Sequence, residues 1–144
     1  MSAPLAVFDL GKTNSKMFVF SPGGEILAEL RQAPEWREHN GIRVLDDARL
    51  EAWMRTTLAK AVAEHGVEGV MFSGHGCTFA LIADGALTHP IVDYEQEVPA
   101  SVAPEIDALL PQFFETYSPR LPLGLNMGRH MLWLERAAPA ALRK

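Results

Sequence analysis

Apolar and polar positions alternate in short blocks along the first third of the chain. Residues 4–10 (PLAVFDL) make an apolar run that ends on an aspartate followed by a glycine. A second β-type run covers residues 16–20 (KMFVF), and residues 25–32 (EILAELRQ) read as a third strand. Between them, Ser21-Pro22-Gly23-Gly24 is turn chemistry, because proline presets φ and glycine admits positive φ. Residues 33–45 read as polar and irregular, with Pro34, Asn40 and Gly41. The next segment is a helix. Asp46 and Asp47 stand at its start, where carboxylates suit the positive end of the helix dipole. Leu50, Trp53, Met54, Leu58, Ala61 and Val62 recur at helical spacing, and His65-Gly66 closes the segment.

Residues 67–73 (VEGVMFS) read as a buried strand running into Gly74-His75-Gly76. Residues 78–83 and 86–93 flank Asp84-Gly85, a short hairpin signal. Residues 94–104 are acidic, contain proline and read as a loop. A short helix is predicted over 105–117, with Ile106, Leu109, Leu110, Phe113 and Phe114 on its apolar side, and Pro119 and Pro122 break the chain beyond it. A last helix is predicted over 125–137, capped by Asn126, with Trp133 and Leu134 in the core. Strands, a helix, a strand, a hairpin and helices in that order predict an α/β fold. The closing AAPAALRK carries neither a final strand nor a polar tail and reads as a cut through a longer protein.

Composition narrows the function classes. The chain has 144 residues, enough for one core, and 48% hydrophobic residues exclude a disordered chain. A net charge of −5 argues against nucleic acid as a partner. The single cysteine, Cys77, excludes an intrachain disulfide, and the five histidines lack the spacing of a zinc site. The opening apolar run stops at Asp9 and is no signal peptide, and no segment has the length of a membrane span. The expected location is cytoplasmic.

Four segments carry candidate chemistry. Asp9-Leu10-Gly11-Lys12-Thr13-Asn14-Ser15-Lys16 lies between two predicted strands. Gly11 permits a tight turn and close approach of a ligand. Thr13, Asn14 and Ser15 supply short donors, Lys12 and Lys16 supply positive charge, and Asp9 is positioned to hold Mg²⁺ directly or through water. Together they suit a nucleotide polyphosphate; the plain alternative is a polar β-turn with exposed lysines. A Walker loop is excluded, since Ala6 stands where its first glycine belongs and a strand comes after Thr13.

Ser73-Gly74-His75-Gly76-Cys77-Thr78 ends a strand, where ligands of open α/β sheets gather. There His75 is placed to donate a hydrogen bond to a sugar hydroxyl, or the turn is a tight connection with an incidental histidine. A nucleophilic Cys77–His75 pair has no visible orienting partner. Asp93-Tyr94-Glu95-Gln96-Glu97 offers groups for polyol recognition, with Asp93 the best placed for burial, or it is a solvated acidic loop. Asn126-Met127-Gly128-Arg129-His130 opens the last helix, and Arg129 is placed either to bind an anion or to decorate the surface.

In this order the four segments resemble the N-terminal domain of the FGGY carbohydrate kinases, over nearly the whole chain. Val7 to Lys16 looks like the family's first phosphate loop, with Lys12 in place of the usual threonine or serine. Val70 to Gly76 falls at the sugar-contacting turn, but His75, Gly76 and Cys77 replace the usual Gln-Met-His or Gln-Arg-Glu. Pro90 to Tyr94 stands at a Trp-x-Asp segment, and Leu125 to Leu134 resembles a later helix that borders the substrate.

The resemblance implies a ribonuclease-H-like, actin-like ATPase fold, truncated here to part of the N-terminal domain of a two-domain sugar kinase. It implies ATP and Mg²⁺ as cofactors and a sugar or polyol as substrate, with a ketose or deoxyketose expected. Asp9 would help hold Mg²⁺. Gly11, Lys12, Thr13, Asn14 and Lys16 would serve the phosphates. His75, Gly76, Cys77, Asp93 and Asn126 would line the sugar pocket. The family's general base and its C-terminal domain would lie beyond residue 144, which leaves this piece inactive alone. A homodimer is compatible with this reading. The rival from another class is a non-catalytic actin-like module that binds sugar or nucleotide without reacting.

Overall fold

In the computed structural model, which describes residues 3–142, the opening alternation becomes a sheet. Strands β1 (Leu5–Leu10), β2 (Ser15–Phe20) and β3 (Ile26–Gln32) form an antiparallel meander. Helix α1 (Asp47–His65) then leads to β6 (Gly69–Gly74), which pairs parallel to β1 and gives the order β3-β2-β1-β6. Between β3 and α1 lie β4 (Trp36–His39) and β5 (Ile42–Leu45). After β6 come the two-residue strands β7 (Ile82–Ala83) and β8 (Ala86–Leu87), then α2 (Ala103–Leu109), α3 (Phe113–Thr116), α4 (Met127–Ala137) and α5 (Pro139–Leu142). This is a mixed α/β structure of two compact units. One comprises the chain up to Glu35 with Asp46–Gly76; the other comprises Trp36–Leu45 and the chain from Cys77 onward.

In the first unit, alternate residues of β1 and β2 face α1. Ala6, Phe8, Met17 and Val19 are buried with Ala61 and Val67, and Trp53, Met54 and Leu58 of α1 pack against them. Phe8 meets Trp53 edge to face at 5.8 Å. Burying a side chain of this size contributes about 1.5–3 kcal/mol. The helix is closed at both ends as expected: Asp46 Oδ1 accepts from Arg49 N at 3.1 Å, and Gly66 takes the left-handed conformation at φ 64°. Val62, expected on the apolar face, is 49% exposed, and Thr57 is buried instead, its hydroxyl donating to Trp53 O at 2.8 Å. β6 also departs from expectation. Val70, Met71 and Phe72 are exposed, because the strand lies at the sheet edge and α1 packs across β2 and β3.

The second unit departs furthest from the pattern expected of the sequence. Residues 36–45 are not irregular but form the β4–β5 hairpin, and Asn40 and Gly41 at its tip both have positive φ (51° and 76°). Asn-Gly is the preferred pair for a two-residue hairpin because both positions need left-handed backbone. Asp84-Gly85 makes the same turn (52° and 75°) between much shorter strands than expected. The helix predicted over 105–117 is broken at Pro111 into α2 and α3, which leaves Phe113 and Phe114 exposed. Ile42, Val44, Val92, Val98, Ile106, Trp133 and Leu134 form the core of this unit. Among the described residues, no helix is long and apolar enough to cross a membrane.

Candidate functional site

The phosphate-loop candidate is the hairpin between β1 and β2. Gly11 N donates to Asn14 O at 3.0 Å, and a Cβ at Gly11 would stand 2.7 Å from that oxygen, so only glycine closes this turn. The Gly11 amide is therefore committed within the turn, and the residue contributes by lacking a side chain. Thr13 and Asn14 at the tip are exposed, and Lys12 beside them is half-buried. Ser15 does not face a ligand as expected. It is 1% exposed because its place in β2 turns it toward the core; its hydroxyl and Gln32 Nε2 are buried without a hydrogen-bond partner.

Ala6 and Phe8 face the core, so Asp9 lies on the opposite side of the pleat. There it stands opposite Lys16 on β2 and Ser73 on β6, and Lys16 stands opposite Arg31 on β3. Four polar residues thus cross one sheet face in a row, next to the hairpin. At the far end of the row the Arg31 guanidinium is held by Glu29, Nε donating to Oε1 at 2.6 Å.

The parallel pairing of β1 and β6 also brings the His75 turn to the same strand ends. Leu10 O accepts from His75 N at 3.2 Å and lies 2.9 Å from His75 Nδ1. A carbonyl oxygen only accepts, so Nδ1 carries the proton in this contact and is already engaged by Leu10 O. Gly76 has open space where a Cβ would project, which leaves room for a ligand.

Cys77, Asp93 and Asn126 belong to the second unit. Cys77 adopts φ 67°, a left-handed conformation unusual for a non-glycine residue, and its Sγ lies 3.3 Å from Leu125 O. Asp93 is completely buried: Oδ1 accepts from Glu95 N at 2.9 Å and Oδ2 lies 3.3 Å from Arg43 Nη1. Asn126 stands at the start of α4 but does not cap it. Its Oδ1 is taken by Leu121 N at 2.7 Å, and its Nδ2 donates to Ser118 Oγ at 3.0 Å. Gly124 N donates to Tyr94 O at 2.7 Å, so the segments around Asp93, Cys77 and Asn126 meet. Arg129, considered for anion binding, is instead forked onto Asp107 at 2.8 and 3.2 Å, which holds the Asp107 carboxyl below its ordinary pKa. A cleft of about 480 Å³ opens here, with Glu97, Asp107, Arg120, Leu121 and Arg129 on its walls.

One residue of this cluster has no functional signal of its own in the sequence. His130 is 1% exposed, and its Nε2 lies 2.8 Å from Gln96 O. Only its spacing marks it as interior: positions 130, 133 and 134 share one helical face, and Trp133 and Leu134 read as core.

Asp9, at the end of β1 beside the hairpin, offers one carboxylate, which is what a Mg²⁺ carried on a nucleotide phosphate would require of the chain. Mg²⁺ binds through one or two carboxylates, retained waters and substrate phosphates, and no group of three or more acidic, histidine or cysteine ligands occurs among the described residues.

Neither family models nor curated proteins match the sequence. Solved structures do. A carbohydrate kinase from Novosphingobium aromaticivorans superposes with a TM-score of 0.89 and 34% identity, over 97% of this chain and 30% of its own. A xylulose kinase from Rhodospirillum rubrum gives 0.73 and 19%, over 96% and 30% respectively. A glycerol kinase from Plasmodium falciparum, solved with ADP, gives 0.67 and 12%, over 98% and 30%. The two more distant structures speak for the fold alone. The chain thus spans 30% of the length of these proteins, and the structures it is similar to are carbohydrate kinases of the FGGY type.

Proposed function

We propose that the chain is the N-terminal portion of an ATP-dependent carbohydrate kinase with an actin-like fold, and that the longer protein phosphorylates a hydroxyl of a sugar or polyol. The observation that carries this is the 34% identity to a carbohydrate kinase sustained over 97% of the chain. The strand-end arrangement supports it. The β1–β2 hairpin would present Thr13 and Asn14 to the nucleotide phosphates, with Lys12 and Lys16 offsetting their charge. Asp9 would hold Mg²⁺, which when bound neutralises the polyphosphate. His75, Gly76, Cys77 and the start of α4 at Asn126 would face the sugar, and Asp93, being buried, would act by holding the loop after it. Catalysis of this kind is mostly positioning and charge stabilisation.

The general base and the C-terminal domain that closes over the substrate would come from sequence outside these 144 residues, which would give the chain by itself no turnover. The test is a coupled ADP-release assay over ketoses, deoxyketoses and polyols, run on this chain and on a longer protein carrying it. Turnover only in the longer protein is expected. Sugar or nucleotide binding without turnover in both would favour a non-catalytic module.

A further inference from the structure

His130 contacts two separate segments of the second unit through opposite sides of one ring. Its Nε2 lies 2.8 Å from Gln96 O, and a carbonyl accepts, so Nε2 carries the proton. On the other side, a Cβ built on Gly124 would stand 2.5 Å from both Nδ1 and Cε1 of His130. The ring occupies the space a side chain at 124 would need. Gly124 N in turn donates to Tyr94 O at 2.7 Å, and Gln96 N donates to Asp93 O at 2.9 Å. Trp133 packs against the ring at 5.5 Å. One buried imidazole therefore supports the Asp93–Gln96 turn at two points, directly at Gln96 and through Gly124 at Tyr94.

We propose that His130 is a positioning residue: a neutral clamp that fixes the Asp93–Gln96 turn and Gly124 relative to one another and so shapes the sugar-facing loop. The sugar-facing part rests on the proposed kinase function; the clamp does not.

The charged surroundings indicate which form of the ring does this. Arg129 on the same helix opposes a positive ring. Asp93 favours one, but its carboxylate is already matched by Arg43 of β5. Burial holds the His130 pKa below its ordinary value, ahead of the opposing effect of the Gln96 carbonyl. A second proton would put charge on Nδ1 in a buried space against Gly124, and the clamp would open.

The test is amide hydrogen exchange followed by NMR on this chain, comparing wild type with His130→Gln and His130→Phe at pH 7.5 and 5. Protection factors at Glu95, Gln96 and Gly124 are the readout, and Leu45 N, bonded to Ile91 O, reports the rest of the unit. Gln can donate from the Nε2 position but does not titrate. Wild-type protection of the three amides is expected to fall about tenfold between the two pH values, with the His130→Gln profile flat and His130→Phe unprotected at both. Equal protection in His130→Phe and wild type would overturn the clamp, as would identical pH profiles in wild type and His130→Gln. A uniform loss that includes Leu45 would reduce His130 to general core packing and would also overturn it. Calorimetric titration of the wild-type chain with D-xylulose separates the two layers: absence of binding counts against the sugar reading, while exchange alone decides the clamp.

Discussion

Nδ1 of His75 lies 2.9 Å from the carbonyl oxygen of Leu10, sixty-five residues earlier, and the same oxygen receives the His75 backbone N–H at 3.2 Å. This double attachment continues the β1–β6 ladder past its last paired residues, Leu10 and Gly74. It fixes the histidine turn beside the β1–β2 hairpin, so a change at His75 is felt at the end of β1. His75→Ala is expected to lose about 0.5–1.5 kcal/mol in urea unfolding, the usual net value of one such hydrogen bond. His75→Asn, whose Nδ2 can donate from nearly the Nδ1 position, is expected to recover most of it. Equal losses in both variants would show that the ring packs there without the hydrogen bond contributing.

Gly124 and His130 offer a steric test. The left-handed region is not required at Gly124, so alanine there meets no backbone objection, only the imidazole. Gly124→Ala alone is expected to cost about 1–3 kcal/mol, as overpacking does. In a His130→Ala background the space is vacant and the same substitution should cost almost nothing. Strict additivity of the two changes in a denaturation cycle would mean that the ring is not what excludes a side chain at 124.

The same histidine sets an expected pH dependence. Its folded pKa lies below the ordinary 6.5, so the unfolded chain takes up the proton first on acidification. The contribution of neutral His130 is fully present above about pH 6.5 and is lost as pH falls toward its folded pKa. Asp107 has the same sign in a lower window. Its pKa is held below 3.8, chiefly by the hydrogen bond from Arg129, so its contribution is present above 3.8 and disappears as pH falls through the folded value. At 38% side-chain exposure that second contribution is small. Urea unfolding of wild type and His130→Gln from pH 8 to 4 should give curves that converge on acidification. Parallel curves would contradict a depressed histidine.

Much of the first unit is legible in the sequence because its period-2 and period-3.6 patterns each have one buried face. The meander, the α1 boundaries at Asp46 and Gly66 and the strand β6 all carry local signals. The second unit is harder. Its β4–β5 hairpin has only four residues per strand, too short for alternation to register, although Asn40-Gly41 marks the turn. Asp93 is interior as its place after Pro90-Ile91-Val92 suggests, but its partners Arg43 and Glu95 N are not legible there, nor is the pairing that spends Arg129 on Asp107, twenty-two residues away. At β6 the apolar composition indicates a strand but not its burial, since composition does not say how many neighbours a strand has.

Cys77 sits at φ 67°, where a Cβ costs about 1–2 kcal/mol. Cys77→Gly removes that strain at the loss of one weak Sγ contact to Leu125 O and should leave stability unchanged or slightly raised. Cys77→Val, branched at Cβ, should lower stability by roughly 1–2 kcal/mol. If glycine were the more destabilising of the two in thermal unfolding, the thiol rather than the backbone would be what this turn depends on.

Asp9 and Lys16 face each other across β1 and β2, and opposed charges in such a pair contribute about 0.2–1 kcal/mol. That structural contribution and the proposed catalytic one can be separated by exchanging the two residues. Asp9→Lys or Lys16→Asp alone places like charges opposite one another and should destabilise the chain by about that amount. The double exchange, D9K with K16D, restores an attractive pair and should return unfolding close to wild type. Turnover by a longer protein carrying the chain should not return, because the carboxylate would then stand on β2, away from the place where it would hold Mg²⁺, and a lysine would occupy that place. A double exchange that regained ADP release together with stability would make the pair a strut of the sheet and nothing more.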